Sequence, residues 1–430
     1  MQIIELIEAT GAKVLTEVDK DLDVKISTDT RTIQKGDFYL PLKGASFDGE
    51  KFINQAFEKG AIGAFCTGDN GTLQVKDTLT AYLQLANYRR KKLNFTVVAI
   101  TGSSGKTTTK ELAASVLSEK FRTFKTPLNH NNEIGFCQTI FEAPDDTEIL
   151  VLEMGMRGLG EIELLSKYAE PDITIISNVG TAHIGRLGSR ENIAKAKCEI
   201  VKYQRGNIFI AHDDELIKKT VQFSGKKIFY SIKDVKILEK DTHYSKFEYY
   251  GNIYELNVGG DYNIENALSA INTGLALRMK VNEIQSGLKK YAPIEKRWEA
   301  VNAGGFEIIN DSYNANPESM RAFIDTIFEL YEKPVVILGD MGELGEDEIK
   351  YHSELGKYIN SHKNLRQDAE ILSIGKLSKY ITDGVTNCPA KHFETIEQAV
   401  DYIKNKDTKV QLFLKASRSM KFERIIEELK

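Results

Sequence analysis

Cysteine is scarce and scattered. Cys66, Cys137, Cys198 and Cys388 form no C-x-x-C pair, so reduced, buried thiols are expected rather than a zinc ribbon or a disulfide framework. Long apolar runs are missing as well. The opening stretch MQIIELIEATGAK has acids early and no extended apolar core, which argues against a signal peptide or a membrane span. A cytoplasmic location is the expectation. No basic excess exists: 57 Lys and Arg against 62 Asp and Glu leave a net charge of −5, unlike the basic surface of a typical nucleic-acid binder. Internal repeats and low-complexity linkers are not apparent. The remainder describes an ordinary soluble chain, 41% apolar and 28% charged, whose 430 residues suffice for two to four domains.

The strongest positive signal is TVVAITGSSGKTTT, running from Thr96 to Thr109. A β-branched run ends at Ile100, a glycine-rich turn follows, and Lys106 and Thr107 open a helical pattern. Strand, loop and helix in that order let backbone N–H groups and a helix N-terminus cradle a polyphosphate. Gly102 and Gly105 let the backbone approach the phosphates. Ser103 and Ser104 lie between them, and Thr108 follows. Lys106 can neutralise β/γ oxygens, and the Thr107 hydroxyl can hold Mg²⁺. The spacing is compressed relative to the common phosphate-loop pattern: Ile100, not glycine, stands six residues before Lys106.

Three stretches divide the chain, at 1–92, 93–295 and 296–430. In the first, Phe38 to Leu40 reads as a strand and Asp48 to Gly60 as an amphipathic helix ending on glycine. The second alternates helices with strands at Ile149 to Glu153, Ile173 to Asn178 and Ile208 to His212. That alternation predicts a mainly parallel sheet covered by helices. The third alternates likewise, with strands at Phe306 to Asn310, Val335 to Gly339, Ile371 to Ile374 and Leu412 to Leu414. It reads as a smaller doubly wound domain. The fold class is therefore α/β.

Glu153 ends the run ILVLE, where a carboxylate at the carboxyl end of a parallel strand faces the ligand crevice. Mg²⁺ on nucleotide phosphates needs one or two such hard ligands. His183 follows another strand end. Lys195 and Lys197 sit two apart in ENIAKAKCEI and so do not share a helix face; a solvated lysine is the default for each.

TGxxGKTT after an apolar strand resembles the ATP loop of the Mur ligases, which with the folylpolyglutamate synthetases join an amine to a carboxylate at the expense of ATP. EMG from Glu153, AH-x5-GS around His183 and AKAK-x-EI around Lys197 follow in the family's order. The resemblance implies three domains: a small N-terminal α/β domain for a UDP-muramoyl-peptide, a central ATP domain and a C-terminal Rossmann-like domain. It implies that Lys197 is carbamylated and, with Thr107, Glu153 and His183, helps to hold Mg²⁺. Asn263 and Asn266 match asparagines that contact the nucleotide base, although Tyr262 stands where the family has histidine. Arg297, in KRWE, matches an arginine that reaches back to ATP, and Asp311 an acid that contacts the ribose.

The substrate residues are implied in the same way. Asn131 and Asn132 match an asparagine-rich loop near the substrate. Asp29 and Arg31, in DTR, belong to the UDP-sugar-binding pattern. NDSYNANPESM, with Asn314 and Asn316, GDMGELG, and KASRSM, with Lys415, Ser417 and Arg418, resemble the branch that adds D-alanyl-D-alanine to UDP-N-acetylmuramoyl-tripeptide, a peptidoglycan precursor. No DNPR sequence is present, unlike the branch that adds diaminopimelate or lysine. ATP and Mg²⁺ are the implied cofactors, and a monomer is expected. Another amide ligase of the family and a catalytically silent nucleotide binder are the rival readings.

Overall fold

The computed structural model describes residues 1–44, 47–294, 296–407 and 410–430. Three principal sheets follow one another along the chain. The first has five short strands between residues 13 and 74, parallel except for the Lys13–Val14 edge. Phe38–Tyr39 lies in it, and the predicted Asp48 to Gly60 helix divides into a 3₁₀ turn at Gly49–Phe52 and a helix at Ile53–Glu58.

The central sheet has six strands, all parallel. Thr96–Thr101 lies inside it, flanked by Ile149–Glu153 and Ile173–Ile176. The strand alternates its burial. Val98 and Ile100 join a core with Leu112, Val116, Ile264 and Leu268, whereas Val97 and Ala99 join one with Phe136, Ile162 and Ile193. Helices therefore cover both faces, as a parallel sheet requires. From Thr96–Thr101 the chain steps to the edge at Thr123–Lys125, returns through Ile149–Glu153 beside its start, and crosses to Ile173–Ile176 on the other side. This topological switch point puts the phosphate loop in the crevice at the strands' carboxyl ends.

A whole sheet escaped the sequence reading, besides edge strands such as Thr123–Lys125, Lys226–Tyr230 and Ala390–Phe393. Lys236–Lys240, Ser245–Tyr249 and Asn252–Leu256 form a three-stranded antiparallel sheet. Ser245, Phe247 and Tyr249 point inward, and the tight turn places Tyr250 and Gly251 at φ 48° and 71°, the conformation of a two-residue hairpin. The alternation beside that Tyr-Gly turn was the available signal.

The third sheet also has six strands. Glu299–Ala303 pairs antiparallel at one edge and the rest are parallel. The predicted strands appear at Phe306–Asn310, Val335–Gly339, Glu370–Ile374 and Leu412–Lys415. Together the sheets make a three-domain α/β architecture.

Candidate active site

The loop after Thr96–Thr101 is held from beneath. Ser104 N–H donates to Asn178 Oδ1 at 2.9 Å, and Gly180 N–H donates to Ser103 Oγ at 2.9 Å. These bonds explain why the strand predicted to reach Asn178 stops at Ile176: Asn178 leaves the ladder to support the neighbouring loop. Gly105 has φ 75°, and a Cβ there would meet Asn266 Oδ1 at 2.4 Å. Lys106 then starts the helix to Leu117 and curls back, its ammonium donating to Gly102 O at 2.8 Å. Burial pushes the Lys106 pKa below its ordinary value; Glu153 opposes that fall and Arg297 adds to it.

A cavity of about 840 Å³ opens above this loop. From the central sheet it is lined by Lys106, Thr107, Glu153 and His183, and from the third segment by Arg297, Asp311 and Lys415. Residues from some 300 positions of chain thus share one space, a site between domains of the usual kind.

Glu153 is 4% exposed. Its Oε1 accepts from Asn131 Nδ2 at 2.9 Å, while Oε2 is buried and accepts no hydrogen bond. A buried carboxylate oxygen without a donor is costly and is the kind of hard ligand that Mg²⁺ takes beside nucleotide phosphates. Among the described residues no three His, Cys, Asp or Glu side chains cluster as a ready-made cage. His183, at φ 67°, sets its Nδ1 2.7 Å from Glu343 Oε2. Glu343 belongs to GDMGELG, so this contact joins the central and third segments. His183 holds the Glu343 carboxyl below its ordinary pKa.

Lys197 and Lys195 part company. Lys197 is 1% exposed and Lys195 is exposed. Burial, with the charge of Lys106, pushes the Lys197 pKa well below that of an ordinary lysine. Lys197 is not among the residues that line the cavity.

The asparagines have local duties. Asn266 Oδ1 accepts from Thr109 Oγ1 at 3.2 Å, so it braces the phosphate loop as well as lining the cavity. Asn263 donates to Gly259 O. Asn132 and Asn316 line the cavity but also cap helices, accepting from Gly135 N–H and Ser319 N–H. Asn314 accepts from Ala315 N–H. Arg297 lies 4.0 Å over the Tyr313 ring, and Lys415 pairs with Asp311 at 2.5 Å.

Four expected substrate residues lie outside this cavity. Ser417 is buried, and Arg418 Nη1 donates to Glu423 Oε1 at 2.5 Å. Asp29 and Arg31 lie in the first segment and pair at 2.6 Å. Hydrogen bonds from Arg31 hold the Asp29 pKa at about 2. Sequence reasoning missed Asn178, Glu318 and Glu343 as site residues. Glu318 Oε2 accepts from Thr181 N–H at 3.0 Å and Thr181 Oγ1 at 2.8 Å, a contact between distant segments that no local pattern announces.

Residues 100–274 match the Mur ligase middle domain and residues 296–418 the Mur ligase, glutamate ligase domain. The chain is 37% identical to the UDP-N-acetylmuramoyl-tripeptide–D-alanyl-D-alanine ligase of Bacillus subtilis, across 94% of this chain and 92% of that one. It belongs to the Mur ligase family. The Haemophilus influenzae ligase of the same description is 30% identical, covering 100% of this chain and 98% of its own. MurF from Acinetobacter baumannii superposes on this Mur ligase with a TM-score of 0.89, at 28% identity over 100% and 98% of the two chains. MurF ligase from Thermotoga maritima, solved in complex with ADP, gives 0.83 at 28% identity over 94% and 96%.

Proposed function

We propose that this Mur ligase joins D-alanyl-D-alanine to UDP-N-acetylmuramoyl-tripeptide with cleavage of ATP to ADP and phosphate. The supporting observation is the shared cavity, in which the phosphate loop and Glu153 face Arg297, Asp311 and Lys415. The relatives named above carry that activity in their names. Activation of the substrate carboxylate as an acyl phosphate fits the parts. Lys106 and the loop N–H groups stabilise charge on the transferred phosphoryl group. Mg²⁺, for which Thr107, Glu153, His183 and Lys197 are the proposed holders, would supply neutralisation of phosphate charge.

Arg297 and Asp311 hold the nucleotide from the third domain, with Asn263 and Asn266 at the base. Asn131, Asn132, Asn314, Asn316, Lys415, Ser417 and Arg418 serve the peptide substrates, and Asp29 and Arg31 the UDP end. The corresponding domains are 1–92, 93–295 and 296–430. Closure of the third domain, to which the His183–Glu343 contact contributes, keeps water from the acyl phosphate. Lys197 is carbamylated: burial lowers its pKa and so favours the neutral amine that can add CO₂, and the product offers hard oxygens where an ammonium offers donors only. The reaction suits a monomer in the cytoplasm, and no helix among the described residues is long and apolar enough to cross a membrane.

Phosphate release, measured with the tripeptide and a panel of amines, tests the reading. D-alanyl-D-alanine should be consumed far faster than L-alanyl-L-alanine or D-alanine. Equal use of a single amino acid would move the chain to another branch.

A further inference from the structure

Lys110 lies one helical turn beyond Lys106 and is completely buried. A buried ammonium must satisfy its charge and three donors or pay heavily in desolvation. Lys110 Nζ donates to Thr126 O at 2.8 Å and to Leu128 O at 3.1 Å, and it pairs with Glu111 Oε1 at 3.2 Å. Two of its N–H groups therefore reach main-chain carbonyls, and the Glu111 carboxylate balances its charge. The next anion is Glu153 Oε2, 3.8 Å away, outside hydrogen-bond reach. This is the buried oxygen that accepts no hydrogen bond. The segment Lys110 grips by its carbonyls, 126–131, also carries Asn131, which donates to the other Glu153 oxygen. Thr126 Oγ1 in turn accepts from Glu153 N–H at 3.0 Å.

We propose that Lys110 is a positioning residue that steers Glu153 by charge while leaving Oε2 open to a divalent cation. At 3.8 Å in a buried setting the attraction is substantial, yet Nζ is too far from Oε2 to occupy its lone pairs. The same side chain anchors the loop that orients Oε1. This inference rests on the ligase reading for its metal.

The test is calorimetric binding of ADP to the full chain as Mg²⁺ is titrated. Lys110→Met should raise the Mg²⁺ half-saturation at least about fivefold and change metal-free ADP affinity less than about twofold, the pattern of an effect carried by the metal ligand. In a Glu153→Gln background the same substitution should change half-saturation less than about twofold, because the residue it acts through is gone. An equal factor in both backgrounds, or none in the unsubstituted one, overturns the proposal. Should Lys110→Met lack a cooperative unfolding transition, Lys110→Gln takes its place, since a neutral amide keeps donors for the main-chain carbonyls without the charge. It should raise half-saturation in the same direction, and an unchanged value overturns the proposal. Parallel ligation by the unsubstituted protein separates the two readings: no consumption of D-alanyl-D-alanine sinks the ligase assignment, whereas ligation with an unmoved Lys110 variant sinks only the role of Lys110.

Discussion

At the carboxyl end of the central sheet, Glu153 Oε2 has no hydrogen bond and Lys106 reaches a main-chain carbonyl of its own loop. At the carboxyl end of the third sheet, Lys415 and Asp311 pair at 2.5 Å. There Asp340 accepts from the N–H groups of Lys376, Leu377 and Ser378, and His352 Nε2 accepts from Met341 N–H at 2.9 Å. Both sheets have six strands and direct strand ends at one cavity. Their charges are arranged differently: the central end keeps charge open for phosphate and metal, and the third end balances charge internally to hold a shape. Substitutions at the open end should therefore damage turnover more than stability. Those at the balanced end should damage stability as well.

The largest effect is expected at Lys106. Lys106→Ala should lower kcat by about 10³-fold, the scale for loss of one preorganised charge-stabilising donor, with little change in the unfolding midpoint. Near-normal ligation by the folded variant would remove the phosphate loop from the mechanism.

Lys197→Ala should lose on the order of 10²-fold in activity. High bicarbonate or a short-chain carboxylate should partly restore it by placing oxygens in the vacated space. Crystals grown with bicarbonate at mildly alkaline pH should show density beyond the amine. A bare lysine, together with a fully active variant, rejects the modification.

At the balanced end, Lys415→Met should cost about 2–3 kcal/mol of stability. That lies at or below the lower end of the range for breaking a buried pair, since Asp311 keeps 16% side-chain exposure. Denaturant unfolding measures it. A loss as small as that of Lys106→Ala would erase the contrast between the sheets.

His352 gives the smallest effect. Burial lowers its pKa below the ordinary 6.5. The unfolded chain therefore takes up a proton before the folded one, and stability falls as pH drops below about 6.5. Protonation would also end the acceptor role of Nε2 toward Met341. His352→Gln should flatten this acid-side loss. Its difference from the unsubstituted curve isolates it from His212, whose raised pKa acts in the opposite direction. Identical curves between pH 5 and 8 would exclude His352 from holding the GDMGELG loop.

Much of this was legible in the residues. The parallel strands of both large sheets show as short β-branched runs, because burial on both faces demands them. The glycines and lysine of the phosphate loop show because few residue types fit that turn. Less legible were contacts across sequence distance. Glu318 reads as an ordinary first-turn acid until Thr181 is found against it. Asn132 and Asn316 read as binding residues, yet each also closes the first turn of a helix.

Local chemistry in the sequence alone determined the α/β class, the phosphate loop and the family resemblance, since each is read from short runs of neighbouring residues and their order along the chain. Tertiary structure decided which charges remain open. Lys110 and Lys106 are one turn apart on the same helix; the glycine-rich turn marks Lys106, and nothing local assigns a task to Lys110. One lies at the cavity and the other is sealed beneath it, because only packing of the helix against the 126–131 segment determines which ammonium meets solvent and which meets carbonyls.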